Sequence, residues 1–193
     1  MNETTAAKIL GQTDRELWLV TAADGARRGG LIATFVCHAS LVESLPRMLV
    51  AVAKHHHTWE LIEADGAFGL HLLGQKQVDL VWRFGLESGR GADKLSGVPC
   101  ETGVTGAPLL ADVLAWLECR VEARYDMGDR TIYLAQVVNA RQMSDEPPLT
   151  MKHLLQIAPR ERLEELSRLR ERDSAIDAEA ILAWRQSLSA DKT

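Results

Sequence analysis

Short apolar segments separated by turn residues dominate the first 140 residues and most constrain the fold. They read ELWLVTAADG, LIATFV, MLVAVA and FGLHLL, followed by LECRVEARY and TIYLAQVV. Segments of this length with β-branched or alternating apolar residues predict strands. Met127, Gly128 and Asp129 predict the turn of a hairpin between the last two. So many short strands, with few long helices, favour a mainly β barrel over a doubly wound sheet.

Two short helices are predicted between these strands. Thr58 is placed to cap the first helix, and Gly66 is placed to end it. Trp59, Leu61 and Ile62 would form its inward face. The second helix lies in QVDLVWRFG, whose apolar residues have helical spacing, and the glycine-rich loop ESGRGADKLSG follows it. The later segment GAPLLADVL is expected to be helical or irregular.

The character of the chain changes after Pro147 and Pro148. Apolar residues recur at helical spacing among nearly balanced Arg and Glu, first around Leu166 and again around Trp184. We therefore predict two amphipathic helices and divide the chain into a barrel domain, residues 1–146, and a C-terminal helical extension, residues 147–193. The apolar faces of the extension need a partner, which can be the same barrel or a second subunit.

Composition narrows the classes of function. The 193 residues carry a formal net charge of −5, which argues against broad nucleic-acid binding because such binding relies on clustered Lys and Arg. No apolar run approaches the length of a membrane span and the N-terminus lacks the pattern of a signal peptide, so we expect a cytoplasmic protein with no membrane partner. The three cysteines form no C-x-x-C pair, which makes reduced thiols the expectation.

Residues 29–84 bring three kinds of chemistry close together in sequence. A hydroxyl-bearing stretch, GGLIATFVCHAS, precedes the apolar run MLVAVA, which KHHHT interrupts at the start of a predicted helix. The buried segments GAFGLHLL and VDLVWRFG follow. A flat cofactor that carries a phosphate requires such a combination of hydroxyls, a cation at a helix start and apolar walls.

Taken in order, the blocks LWLVTAADGARRGGLIATFVCHAS, LVAVAKHHHT, GAFGLHLL, WRFG, GADKLSGVP, GAPLLADVLAWLECRV and GDRTIYLAQVV resemble the flavin reductase-like family of FMN-binding split β-barrels. The greatest similarity is to the reductase-like module of diflavin flavoproteins, over about residues 15–140. The resemblance implies a homodimer with FMN in a groove at the subunit interface. In active members it also implies hydride transfer from NADH or NADPH to the flavin.

The resemblance assigns cofactor-binding roles to positions within these blocks. The stretch of Ala33, Thr34 and Phe35, with Ser40, would line the isoalloxazine ring, Thr34 and Ser40 at its polar edge. Phe35 would wall the ring or belong to the core. The alternative for the two hydroxyls is an ordinary strand and turn role.

Lys54 and Thr58 would contact the FMN phosphate at the helix start, the alternative being a surface lysine and a routine N-cap. The three adjacent histidines are unsuited to share one metal ion, and a solvated turn is the expectation for them. His55 is included as a further phosphate contact.

Three further positions complete the predicted site. His71 stands where the family commonly has Asn, and a neutral imidazole can still donate one hydrogen bond to a cofactor. A place at the subunit interface is an equal alternative for it. Phe84 and Lys94 match the family's Phe and DK positions, and the loop between them would lie over flavin or nicotinamide, although Phe84 also suits a core anchor.

Two departures from the family pattern bear on activity. Reductases of the family often have Gly-Asp-His before the last barrel strand, whereas this chain has Gly128, Asp129 and Arg130. The extension after Pro148 also replaces a shorter chain end. The leading prediction is an NAD(P)H:FMN oxidoreductase, in which no protein nucleophile, general base or metal is needed. The alternatives are an FMN-binding electron-relay protein fed by a separate redox partner, and a flavin-free barrel.

Overall fold

A computed structural model of the chain describes residues 3–87 and 89–190, with side chains from residue 5. Within these ranges the chain forms five α-helices and nine strands. In order they are α1 (Glu3–Gln12), β1 (Trp18–Asp24), β2 (Arg27–Ala33), β3 (Val36–His38), β4 (Arg47–Ala53), α2 (His57–Asp65), β5 (Ala67–Leu72), a 3₁₀ turn (Gln75–Gln77), α3 (Val78–Leu86), β6 (Cys100–Thr102), β7 (Pro108–Leu110), β8 (Ala115–Asp126), β9 (Arg130–Gln142), α4 (Met151–Ile157) and α5 (Arg160–Ala190).

Seven strands form one antiparallel sheet that curls into a half-barrel. The strand order is β2-β1-β5-β8-β9-β4-β3, and β6 pairs with β7 in a separate two-stranded sheet. The hairpin β8–β9 is the longest pairing and contains two register shifts, between Glu118 and Cys119 and between Val121 and Ala123. Such bulges bend the strands and increase their twist, which is how a long hairpin follows a curved sheet. The expectation of a mainly β fold is confirmed.

The sheet separates two apolar cores. One lies against α2 and includes Val20, Val50 and Phe68, all of them buried. The other is built around Trp82 and Phe84 of α3. Alternation along the strands distributes the apolar side chains between the two faces, and the helices cover one face each. Both α2 and α3 contact β2, and the loop before α2 and the loop after α3 meet beside that strand.

Most predicted elements occur, with three corrections. The segment LIATFV is not one strand: β2 ends at Ala33, which pairs with Trp18, and β3 begins at Val36, which pairs with Val50. Thr58 does not cap α2, because the helix begins at His57 and His56 holds the cap position, two residues earlier, without a side-chain bond. GAPLLADVL, expected to be helical or irregular, contributes strand β7. Gly66 ends α2 in the left-handed conformation, as predicted.

The C-terminal region also differs from the prediction of two separate amphipathic helices. Both apolar stripes, around Leu166 and around Trp184, lie on the single 31-residue helix α5, which follows the short helix α4. Leu149 and Leu154 are buried in the α3 core, so the start of the predicted extension packs as part of the barrel. The division at residue 146 stays a prediction. Within the described residues, no helix has the length and apolar character needed to cross a membrane.

Candidate functional site

A cavity of about 150 Å³ lies beside the N-terminus of α2. Strand β2, the loop between β4 and α2, the end of α3 with the loop after it, and helix α5 all contribute to its wall. Four of the predicted site residues line it, namely His55, Thr58, Phe84 and Lys94. Residues that are far apart in sequence therefore meet at one small, partly enclosed space.

Close backbone packing places Phe84 at this cavity. A Cβ on Gly30 of β2 would lie 2.9 Å from the Val20 carbonyl oxygen and 3.0 Å from the ring of Phe84. Only glycine permits that approach without displacing the strand or the ring. The GG pair in the sequence is thus a packing requirement that brings α3 against β2 and shapes the cavity floor.

The loop between β4 and α2 supplies the polar wall. The Lys54 backbone N–H donates to the Asp129 carbonyl at 2.9 Å, and the His56 N–H donates to the Ala53 carbonyl at 3.1 Å, which fixes the turn. Thr58 follows in the first turn of α2 and is 3% exposed. The first N–H groups of a helix have no partner within the helix, and their partial positive charge attracts anions.

Lys94 is a buried cation beside the same cavity. It is 5% exposed, and its Nζ donates to the carbonyl oxygens of Phe84 at 3.0 Å and Glu87 at 3.1 Å. Burial lowers the pKa of Lys94 to about 8. The ammonium therefore closes the loop after α3 and places a positive charge close to the N-terminus of α2.

The three adjacent histidines differ in environment. Burial, helped by the charge of His55, lowers the pKa of His56 to about 4. His57 contacts the Glu60 carboxylate at 3.3 Å, whereas His55 lies 3.7 Å from Asp173 and 3.6 Å from Asp177 on α5. His55, His56 and Asp173 each offer a ligand atom within 4.8 Å of the others, a spacing that a metal ion could use. The charge of Asp173 acts to raise the pKa of His56, whereas the charges of Lys94 and Arg130 act to lower it, so charges of both signs surround this place.

Arg130 joins this cavity to the exposed ring of Phe35. Its guanidinium lies 5.0 Å from the ring centroid of Phe35, and it forms ion pairs with Asp129 and Asp177. Arg15 approaches the same ring at 5.3 Å. Burial raises the pKa of Asp177, against the opposing effect of Arg130. The contacts run from Phe35 through Arg130 and Asp177 to His55, and so connect the two predicted parts of the site.

The other predicted site residues lie outside the cavity. Ala33 is buried in the α2 core, Thr34 is half-buried at the break between β2 and β3, and the Ser40 hydroxyl accepts from the Val42 N–H at 3.0 Å. Lys54 Nζ instead binds Asp126 at 2.6 Å.

His71 is fully buried in the sheet and has both ring nitrogens engaged. Nδ1 donates to the Leu19 carbonyl at 3.0 Å, and Nε2 accepts from the Leu110 N–H at 3.0 Å. Burial lowers its pKa to about 4, so the neutral ring holds β5 against β7.

Sequence reasoning did not find the contribution of α5. Leu169, Arg172 and Asp173 line the cavity, and Asp177 reaches Arg130. Asp173 and Asp177 are four residues apart, and this spacing predicts that they share one face of a helix. No sequence pattern, however, indicates which loop that face meets.

The family model described as "Flavin reductase like domain" matches residues 10–154. The chain belongs to this family. Diflavin flavoprotein A 1 of Synechocystis sp. is 32% identical over 147 residues, which cover 76% of this chain and 25% of that protein. The ferric-chelate reductase (NAD(P)H) of Archaeoglobus fulgidus is 29% identical over 136 residues, 69% of this chain and 79% of that one.

The solved structures agree with the fold. The NADH:FAD oxidoreductase SgcE6 of Streptomyces globisporus superimposes with a TM-score of 0.68 at 25% identity, covering 77% of this chain and 88% of that one. The expected split barrel is thereby confirmed. The chain spans about a quarter of the length of the diflavin flavoprotein that it matches. Helix α5 lies wholly beyond the segment that the family model matches.

Proposed function

We propose that this protein binds FMN and acts as an NAD(P)H:flavin oxidoreductase. The observation that carries the proposal is the cavity at the N-terminus of α2, where Thr58 and His55 lie beside the buried cation Lys94. This set suits the phosphate of a flavin nucleotide, because helix N–H groups, hydroxyls and cations are the usual partners of phosphate in proteins. Membership of the flavin reductase-like family supports a flavin cofactor and reductase chemistry.

The residues present fit such a group. His55 Nε2 is a buried polar atom with no hydrogen-bond partner in the described part of the chain, so the cavity wall has bonding capacity to offer an anion. In the proposal, Thr58, His55 and Lys94 hold the phosphate end, while Ala33, Thr34, Phe35 and Ser40 line the ring.

FMN would supply hydride acceptance. The protein's own residues would orient the ring, balance its charge and exclude water. Phe84 forms part of the cavity floor, whereas His71 acts in the sheet, where it holds β5 against β7.

A homodimer forms part of the proposal. Exposed apolar side chains lie at the β2–β3 break and in the loop after β3, namely Phe35, Leu41, Val42 and Leu45. Monomeric proteins rarely leave such a cluster in water, so a second copy of the chain is the proposed cover. The ring side of the cofactor would then lie at the subunit interface. The proposed location is the cytoplasm.

One observation favours a second candidate, an FMN-binding electron carrier fed by a separate redox partner. Arg130 stands where reductases of the family often have His, and its guanidinium is held by Asp129 and Asp177. An arginine fixed in this way cannot exchange a proton and is not free to receive a nicotinamide nucleotide. The diflavin flavoproteins among the relatives are consistent with a module that works with others.

The test is an anaerobic titration of the FMN-loaded protein with NADH and then NADPH, followed at about 450 nm where oxidised flavin absorbs. Rapid bleaching supports the reductase and identifies its donor. Bound flavin that stays oxidised with both donors supports the carrier. Failure to bind FMN refutes both candidates.

The phosphate assignment has its own variants. Thr58→Val removes one hydroxyl and is expected to weaken FMN binding about 10-fold or more, as for a lost hydrogen bond to a charged group. Thr102→Val, at an exposed strand position, is the matched control. Lys54→Ala is expected to have a smaller effect because Lys54 is paired with Asp126. Unchanged affinity in Thr58→Val would remove the phosphate assignment.

A further inference from the structure

Helix α5 covers the candidate phosphate site from outside the family segment. The matched residues end at 154, and α5 runs from Arg160 to Ala190. Leu169 and Asp173 of α5 line the cavity, and one turn further on Asp177 reaches Arg130. The site of this protein therefore has a wall that the shared family domain does not supply.

Ion pairs and half-buried apolar side chains hold α5 in place. No residue of α5 within the described chain is fully buried, and its apolar contacts come from half-buried side chains, namely Leu163, Leu166, Leu169, Ile181 and Trp184. The pairs of Asp177 with Arg130 and His55, and a close approach to Gly128 in the β8–β9 turn, add to this attachment. A helix held in this way can move without opening either core, because core packing does not depend on it.

The carboxylates of α5 use the same groups that a phosphate would use. A carboxylate oxygen of Asp173 lies 3.7 Å from His55 Nε2, and one of Asp177 lies 3.6 Å from His55 Nδ1. Asp177 also forms an ion pair with Arg130. A phosphate dianion at His55 would stand beside two carboxylates, of which Asp173 is partly balanced by Arg172 at 2.8 Å. Like charges at that separation repel where burial reduces screening, so helix α5 in this position disfavours a bound phosphate.

The contact is also incompletely bonded. His55 Nε2 and Asp177 Oδ1 are buried and have no hydrogen-bond partner in the part of the chain that the structure describes. Buried polar atoms normally have hydrogen-bond partners. Leaving these two atoms without one reduces the net stabilisation that the contact between α5 and His55 provides. A ligand that satisfies His55 better than a carboxylate at 3.7 Å can compete with α5.

We propose that α5 is an autoinhibitory helix whose Asp173 and Asp177 occupy the phosphate site, so that a phosphate-bearing flavin binds only after α5 has moved away. This inference rests on the proposed function, because it takes the cavity as the place of the flavin phosphate. The protein then exists in a closed form, with α5 on the cavity, and an open form that binds flavin. The apparent affinity for FMN is reduced by the fraction of molecules that are open.

Flavin titrations of full-length variants test the proposal. The double variant Asp173→Asn with Asp177→Asn keeps the shape of α5 but removes both carboxylate charges. If about one molecule in ten is open in the wild type, this variant binds FMN about 10-fold more tightly. Glu171→Gln with Glu179→Gln is the matched control, because it removes two charges from exposed positions of the same helix. The control is expected to keep the wild-type affinity.

Riboflavin, which has the ring but no phosphate, separates displacement from general loosening of the site. Its affinity is expected to be the same in all three proteins. Limited trypsin digestion gives a direct readout of α5, which carries Arg168, Arg170 and Arg185. FMN is expected to speed cleavage within α5 of the wild type, and riboflavin is not.

The two hypotheses fail in different ways. If none of the three proteins binds FMN or riboflavin, the proposed flavin site is wrong and the inference falls with it. If all three bind FMN equally, or if FMN protects α5 from trypsin, autoinhibition is wrong while the flavin site stands. Equal tightening of FMN binding by the control variant would also overturn the inference, because it would reflect the net charge of the helix and not the two contacts.

Discussion

Replacing His71 by Leu should lower the free energy of unfolding of the protein at neutral pH. It should also remove part of the dependence of that free energy on pH. The neutral ring accepts from the Leu110 N–H and donates to the Leu19 carbonyl, both at 3.0 Å. Leucine fills the space but leaves the Leu110 N–H buried without a partner. The expected loss in the free energy of unfolding at pH 7 is about 2 kcal/mol.

The pH dependence has a definite sign. Burial lowers the pKa of folded His71 from 6.5 to about 4, so the unfolded chain binds a proton more readily between these values. The stability contributed by the neutral ring is complete above about pH 6.5 and is lost as pH falls towards 4. Linkage puts this loss at about 3 kcal/mol, and the variant His71→Leu does not suffer it. The wild-type and variant stability curves should therefore cross at about pH 5.

Urea unfolding followed by fluorescence of the five tryptophans, repeated from pH 4 to 8, measures both curves. His56 has a pKa lowered in the same way but is present in both proteins, so its contribution cancels in the difference. A constant gap between the two curves across this range would refute the reasoning. It would show that the ring is not held neutral by its place between β5 and β7.

Three other outcomes are expected. Gly128 has a φ of 89°, and a Cβ added there would lie 2.6 Å from a tryptophan of α5, so Gly128→Ala should make α5 more readily cleaved by trypsin. The control Gly25→Ala, at φ 59° with open space around it, should cost only backbone strain of about 1 kcal/mol. Iodoacetamide at pH 8 should label exposed Cys37 and spare buried Cys119, whose pKa burial raises to about 12; mass spectrometry reports both. Burial lowers the pKa of Lys94 from 10.5 to about 8, so the unfolded chain binds more protons than the folded one between these pH values and the free energy of unfolding should rise with pH. Urea unfolding of the wild type and of Lys94→Met measures this rise, which the variant should lack.

Local patterns predicted those elements that local interactions determine. The β8–β9 hairpin follows from alternation on both sides of Gly128, which is in the positive-φ conformation of a turn glycine. Helix α2 follows from its apolar face and from Gly66. Its first residue was missed because a threonine near a helix start suggests a cap, whereas Thr58 points inward and is buried.

Long-range pairing decided what the sequence could not show. LIATFV has the composition of one strand, but its two halves pair with β1 and β4, so the chain changes partners at Thr34. His71 suits a cofactor contact as well as a structural one, and only the nearby Leu110 N–H distinguishes them. The position of α5 depends on ion pairs to His55 and Arg130 that no periodicity encodes.

The order of strands in the large sheet has a consequence for how the protein is made. Strand β4 does not pair with β5, the next strand along the chain. It lies between β3 and β9, and its Val50 is opposite Tyr133 of β9. Contacts between distant parts of a chain form slowly, and on the ribosome they wait until both parts have emerged. The turn from Lys54 to Thr58 follows β4 directly, so it should acquire its final shape only after β9 has left the exit tunnel. Pausing translation before that point should leave a nascent chain with a protected β1–β2 hairpin and an unformed loop between β4 and α2.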